Sequence, residues 1–179
     1  MRIISGKYKG LKLVGDNIEG TRPTMDRVKE SLFGIIQNNI RNSTCLDLFA
    51  GSGSLGIEAL SNGAHFCYFV DNNIKVIDVL NKNTKNIENK KIIKNDYINA
   101  LKYFKDNNIK FDIVFLDPPY KLNLINNSLK YLKEYNLLND NALIICEYEK
   151  EEFNIDFDII KEKKYGSKLI RIYKYKLTN

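Results

Sequence analysis

The chain predicts an α/β fold in which a mostly parallel, seven-stranded sheet carries helices on both faces and ends in an antiparallel hairpin. Three observations predict it. From Cys45 onward, apolar runs of strand length alternate with helix-length segments, the βαβ rhythm of a parallel sheet. A glycine-rich loop, Gly51, Gly53 and Gly56, follows the first of these runs. The final stretch breaks the rhythm, with two strand-like runs flanking a turn at Tyr165, Gly166 and Ser167.

Taken in order, residues 2–5 and 11–14 read as the arms of a short hairpin around the glycine-bounded segment Gly6 to Gly10. A helix follows Thr21, with Thr24 as the candidate N-cap and Val28, Leu32, Ile35 and Ile36 on one face. Strands are expected over 44–49, 66–71, 90–94, 111–116 and 141–148, and helices over 54–62, 73–86, 97–105 and 122–134. Phe157 to Ile160 and Lys168 to Tyr173 form the closing hairpin. Residues 1–40 thus read as a hairpin-and-helix extension to a main domain over 41–179.

Composition narrows the class. A hydrophobic content of 44% supports a core, and 28 Lys and Arg against 22 Asp and Glu give a net charge of +6, which suits a polyanionic partner. Lysine, asparagine and isoleucine are abundant everywhere, so lysine count alone argues little. No stretch approaches the ~20 apolar residues of a membrane span, and the N-terminal residues lack a signal-peptide pattern. A cytoplasmic protein is expected. Cys45, Cys67 and Cys146 sit in apolar runs without metal-ligand spacing and read as reduced core residues. With His65 the one histidine and no cysteine pair, neither a zinc site nor a histidine-based triad is expected, and no metal is expected.

The chemistry concentrates at strand ends. Asp117, Pro118, Pro119 and Tyr120 follow the apolar run 111–116, where open α/β sheets bind their ligands. Two prolines fix two φ angles and remove two backbone donors, so the carbonyls there can only accept. A carboxylate, a rigid carbonyl and an aromatic face suit a planar exocyclic amine. The glycine loop and Asp71, 20 residues after Gly51, would serve either a nicotinamide or another adenosine cofactor. Asp47 decides between them: four residues before Gly51, it would repel a pyrophosphate and attract a cationic amino-acid end. S-adenosylmethionine has that end. Asp96, with Asn95 and Tyr97, follows the third strand where an adenine edge would lie, so acids occupy four successive strand ends.

These residues resemble a class I S-adenosylmethionine-dependent methyltransferase of the amino-methylating type, with its Rossmann-like fold. More narrowly, the chain resembles the RsmD-type family, which methylates the 2-amino group of one guanine in 16S ribosomal RNA. The resemblance rests on residues 2–10, 22–33, 46–59 and 117–120 and on Tyr165-Gly166, and so spans nearly the whole chain. It implies donor contacts from Asp47, Phe49, Ala50, Gly51 and Gly53, from Asp71 and Asn72, from Asp96 and Tyr97, and from Thr24. It implies catalysis by Asp117, Pro118, Pro119 and Tyr120. Asp117 and the Pro118 carbonyl would accept the two amino N–H groups, with Asp117 stabilising charge on nitrogen and Tyr120 stacking on the base. Asn72 and Asn73 depart from the charged or bulky residues usual after the second acid, and the family's basic N-terminal segment is lysine-rich here, which weakens bidentate phosphate gripping without removing the charge.

Candidate RNA contacts are Arg2, Lys7, Lys9, Arg22 and Arg27 in the N-terminal stretch and Lys164 and Lys168 in the closing hairpin. Over 161–176, seven basic residues face Glu162 alone. Arg22 and Thr24 would equally well fold over the cofactor pocket. The expected partner is 16S rRNA within a small-subunit assembly intermediate, bound by a monomer. The competing readings are a DNA adenine or cytosine amino-methyltransferase, for which 179 residues leave little room for a target-recognition region, and a non-catalytic RNA-binding assembly factor. A nicotinamide oxidoreductase would explain neither Asp47 nor the Pro-Pro-Tyr.

Overall fold

The computed structural model describes residues 1–15, 22–119 and 123–178, and for residues 22–24 the backbone alone. The strands are β1 (Thr44–Asp47), β2 (Phe66–Asp71), β3 (Lys90–Lys94), β4 (Phe111–Leu116), β5 (Leu138–Tyr148), β6 (Asp158–Tyr165) and β7 (Lys168–Lys174). The helices are α1 (Arg22–Ile40), α2 (Ser54–Ser61), α3 (Ile74–Asn83), α4 (Tyr97–Asp106) and α5 (Leu124–Glu134). One seven-stranded sheet forms in the order β3-β2-β1-β4-β5-β7-β6. β1 to β5 run parallel, and β7 lies antiparallel between β5 and β6. The order reverses between β1 and β4, which opens a crevice at their carboxyl ends.

Strand side chains alternate, so the sheet sorts its apolar residues into two cores. Cys45, Cys67, Phe69, Ile113 and Phe115 face one core with Leu32 and Ile36 of α1, Ile57 of α2 and Leu80 of α3. Leu46, Val70, Val114, Leu116 and Cys146 face the other with Leu101 and Phe104 of α4 and Leu129 and Leu132 of α5. The three cysteines are buried and free, as the sequence predicts. Burial pushes all three thiols up, Cys45 to about 12, which leaves them inert.

Several boundaries shift for local reasons. α1 begins at Arg22, so Thr24 lies inside its first turn and is not the N-cap. Ile35, expected on the buried face, is 38% exposed, and Phe33 and Ile40 take that face with Leu32 and Ile36. β5 starts at Leu138, earlier than expected, because its pairing with β4 slips between Phe111 and Ile113 and Asn141 adopts a φ of 66° in the irregular stretch. β6 runs on through Lys161–Lys164 because it is an exposed edge, where lysines are tolerated and useful. Every non-glycine residue with positive φ among the described residues is an asparagine, at 42, 89, 108, 123, 136 and 141. Part of the asparagine richness is therefore turn chemistry.

The first residues do form a hairpin, joined by an Arg2–Lys12 bridge and by hydrogen bonds such as Ile3 N to Leu11 O at 2.9 Å. Ile3 and Leu13 insert into the same core as α1 and α2.

Candidate active site

The four acids predicted at strand ends do line one crest. Asp47 ends β1, Asp71 ends β2, Asp96 follows β3, and Asp117 follows β4. With β3, β2, β1 and β4 adjacent, they form a row along the carboxyl edge of the sheet.

The glycine loop joins β1 to α2. Gly53 has a φ of 86°, which a residue with a side chain reaches only with strain, and a Cβ there would lie 2.6 Å from Leu80 Cδ1. At Gly56 a Cβ would lie 2.3 Å from Phe69 Cε1, so this glycine lets α2 sit against β2. Gly51 has open space where its Cβ would be, which leaves loop backbone accessible to a ligand. Asp71 Oδ2 accepts from Gly51 N at 3.1 Å, and its Oδ1 accepts from Asn73 N at 3.1 Å. Asp96 is the N-cap of α4, accepting from Asn99 N at 2.8 Å. The neighbouring Tyr97 ring packs against Phe49 at 5.5 Å, while Ala50 is buried and Asn72 exposed.

Asp47 is 1% exposed, and its Oδ2 accepts from Gly56 N at 3.1 Å. Burial pushes its pKa up to about 7, opposed by the Gly56 hydrogen bond and assisted by the charge of Asp71. A carboxyl raised from 3.8 to about 7 binds more protons folded than unfolded in that interval. The unliganded protein therefore loses stability as pH rises through that window. Asp47→Asn is expected to flatten this part of the profile, read as melting temperature against pH; an unchanged slope would assign it to another group. The same buried acid, short of a cation, is the feature of this donor set that suits an ammonium-bearing ligand.

The catalytic corner lies one strand over. Pro118 is buried, Pro119 is exposed and Asp117 is half-buried, while Tyr120 lies outside the described residues. Pro118 and Pro119 line a cleft of about 490 Å³ with Ile125, Glu147, Tyr148 and Glu151 among its walls. Glu147, near the end of β5, comes one residue after Cys146, the register partner of Leu116, and so lies beside Asp117. Lys168 Nζ, at the start of β7, lies 3.1 Å from Glu147 Oε1. Burial and the Glu147 charge push Asp117 well above the usual carboxylate range, while Lys168 opposes them. Lys168, singled out as an RNA contact, also pairs with Glu147 in this corner.

A second charged centre was not legible beforehand. Lys29 of α1 and Glu58 of α2, 4% and 1% exposed, form a buried ion pair at 3.2 Å. The Lys29 ammonium also donates to Arg2 O at 2.8 Å and to Ser54 Oγ at 3.0 Å. Glu58 accepts from the Ile4 and Ser5 amides at 2.9 and 3.2 Å. Asn83 completes the strap, accepting from Val14 N at 2.9 Å and donating to Ser52 O at 2.8 Å. The N-terminal segment is thereby fastened to both ends of the glycine loop. Its cations Arg2, Lys7, Lys9 and Arg27 are exposed, as is Lys164 on β6. The side chains of Arg22 and Thr24 lie outside those described.

Fold and site together define the class: an S-adenosylmethionine-dependent methyltransferase of Rossmann-like fold. The chain belongs to the family described as conserved hypothetical protein 95, whose model matches residues 1–174. It is 42% identical over 180 residues to ribosomal RNA small subunit methyltransferase D of Haemophilus influenzae, covering 97% of this chain and 93% of that one. The protein of that name from Escherichia coli strain K12 is 34% identical over 179 residues, covering 97% of this chain and 89% of its own length. The solved structure of yhhF from Escherichia coli superposes with a TM-score of 0.85 at 31% identity and 98% coverage of each chain. The family resemblance read from the sequence is borne out.

Proposed function

We propose that this protein transfers the methyl group of S-adenosylmethionine to the exocyclic 2-amino group of a guanine in 16S ribosomal RNA. The observation that carries the reading is the corner at Asp117 and Pro118, which sets a carboxyl and a donor-free backbone beside the glycine loop and at the mouth of a cleft. The names of the relatives support ribosomal RNA of the small subunit as substrate.

S-adenosylmethionine supplies an electrophilic methyl on a sulfonium, ready for in-line displacement by an amine. In this reading Asp47 balances the cationic amino-acid end, Gly51 and Gly53 give it backbone to lie against, and Asp71 takes the ribose hydroxyls. Asp96 and Tyr97, with Phe49 behind the ring, border the adenine. Pro118 O and Asp117 accept from the two amino N–H groups and hold the nitrogen in line, so geometry does most of the work. Tyr120 stacks on the base, a contact worth roughly 1–3 kcal/mol. Arg2, Lys7, Lys9, Arg22, Arg27 and Lys164 grip phosphates on either side. The protein works in the cytoplasm as a monomer on a small-subunit assembly intermediate.

The test is labelled S-adenosylmethionine supplied with small ribosomal subunits, naked 16S RNA or duplex DNA, followed by nucleoside analysis. N2-methylguanine in the RNA is expected. Methyladenine in DNA would overturn the substrate, and no product from any of the three would leave a non-catalytic RNA-binding role.

A further inference from the structure

We propose that Glu147 is the terminal proton acceptor of the methyl-transfer reaction, acting through Asp117 and held in its anionic form by Lys168. The proposal rests on the amine-methylating function above, because it concerns the proton that a methylated amine must lose.

The geometry begins with strand register. β4 and β5 pair in parallel with Leu116 opposite Cys146, so the next residues, Asp117 and Glu147, emerge side by side at the carboxyl end of the sheet. Adjacent strands are about 4.8 Å apart, which brings two short acids within hydrogen-bonding reach. Two carboxyls held side by side in this way cannot both ionise cheaply, and they share a proton through a hydrogen bond, the reason the Glu147 charge pushes Asp117 up. Ionised carboxylates only accept, so one of the two must carry a proton. Lys168 decides which: its ammonium lies 3.1 Å from Glu147 Oε1, and the negative charge therefore stays on Glu147. Asp117 holds the proton, in keeping with the upward push on its pKa.

The other charged groups around the pair agree with this assignment. Asp47 of β1 adds negative charge that disfavours an ionised Asp117. Glu149, Lys150 and Glu151, which follow Glu147 in sequence, line the same cleft and bring charge of both signs to it. Glu147 itself retains 16% side-chain exposure.

A neutral Asp117 has one oxygen donating to Glu147 and one free to accept from an amino N–H. As the amine nitrogen takes the methyl group and sulfur keeps the electron pair of the broken bond, the nitrogen becomes cationic. Its N–H proton passes to the accepting oxygen of Asp117, and the proton that Asp117 already held passes to Glu147. One N–H bond is lost and one O–H bond is gained on Glu147. Asp117 ends neutral, as it began, and the positive charge brought by the sulfonium is left on Lys168 until Glu147 releases its proton. Glu147 then returns its proton to water through the cleft. Glu147 is in these terms a positioning and relay residue; Asp117 is the group that touches the substrate.

The experiment measures single-turnover methylation against pH, with dissociation constants for S-adenosylmethionine and RNA, in wild type, Glu147→Gln and Lys168→Met. For Glu147→Gln the rate is expected to fall about 100-fold, the scale of general-base loss, with both dissociation constants nearly unchanged. Its acid limb should move to lower pH, because Asp117, no longer facing an anion, takes over as a weaker base. For Lys168→Met the limb should move to higher pH, since the corner loses the cation whose charge opposes the upward push on Asp117; this variant keeps both acids and serves if Glu147→Gln does not fold. A wild-type rate and limb in Glu147→Gln would overturn the relay. So would a reduced rate with an unmoved limb, the mark of a structural role. An inactive wild type refutes the amine-methylating function itself, whereas an active wild type with indifferent variants refutes the relay alone.

Discussion

Asp117→Ala is expected to abolish methyl transfer, a loss of about 10³-fold or more, while S-adenosylmethionine affinity stays within about twofold. The two effects separate because the residues serve different halves of the crest. The donor side is built from the β1–α2 loop and the ends of β2 and β3, whereas Asp117 follows β4. Removing its carboxyl takes away the acceptor that orients the amine and the group through which its proton departs. It also leaves the Glu147–Lys168 ion pair, 3.1 Å apart, in place. The fold should survive, since Asp117 is half-buried at a strand end and makes no backbone hydrogen bond among those described. Single-turnover assays with calorimetric binding decide it: wild-type-like turnover would remove Asp117 from the mechanism, and a parallel collapse of donor binding would show that the two halves are not independent.

Glu58→Ala is expected to be the most destabilising single change, costing about 3–5 kcal/mol, because it removes the carboxylate that balances a buried ammonium. Lys29 is 4% exposed and would lose the carboxylate 3.2 Å away. The Ile4 and Ser5 amides would lose their acceptor in the same stroke. At roughly 2–4 °C per kcal/mol for a chain of this size, the melting temperature should drop by about 6–20 °C. The double variant Lys29→Met with Glu58→Met should recover much of the loss, since replacing a whole buried pair by apolar side chains is often neutral. Thermal melts of the three proteins check this, and a single variant that melts like wild type would refute it.

Much of this architecture is readable in the sequence because the features obey local rules. Strand positions followed from apolar runs, and the acids at the ends of β1 to β4 followed from where those runs stop. Glu147 stands inside the fifth run, 141–148, directly after Cys146, and the same rule would have reached it had that run been ended at Cys146. What stayed hidden depends on tertiary pairing. Nothing about Lys29 or Glu58 marks them as partners; each reads as an ordinary charge on a helix until α1 and α2 pack. Lys168 reads as one lysine among many in a basic hairpin, and only the antiparallel register of β7 on β5, with Glu147 opposite Ile170, puts its ammonium at the corner. Thr24 misled because a threonine before an apolar face is a good cap, yet the helix starts earlier, with Pro23 in its first turn, where proline is well tolerated.

The position of β7 between β5 and β6 also bears on synthesis at the ribosome. Residues 168–174 are made after every other strand, yet they fill an interior place in the sheet. Until they emerge, β5 presents an unpaired edge, and β6 has no neighbour to join. A nascent chain halted before Lys168 can assemble the donor side of the crest, but its proton-handling corner still lacks its cation. Completion of the sheet and completion of the active site are therefore the same late event. Stalled or shortened chains should be prone to aggregation as well as inactive.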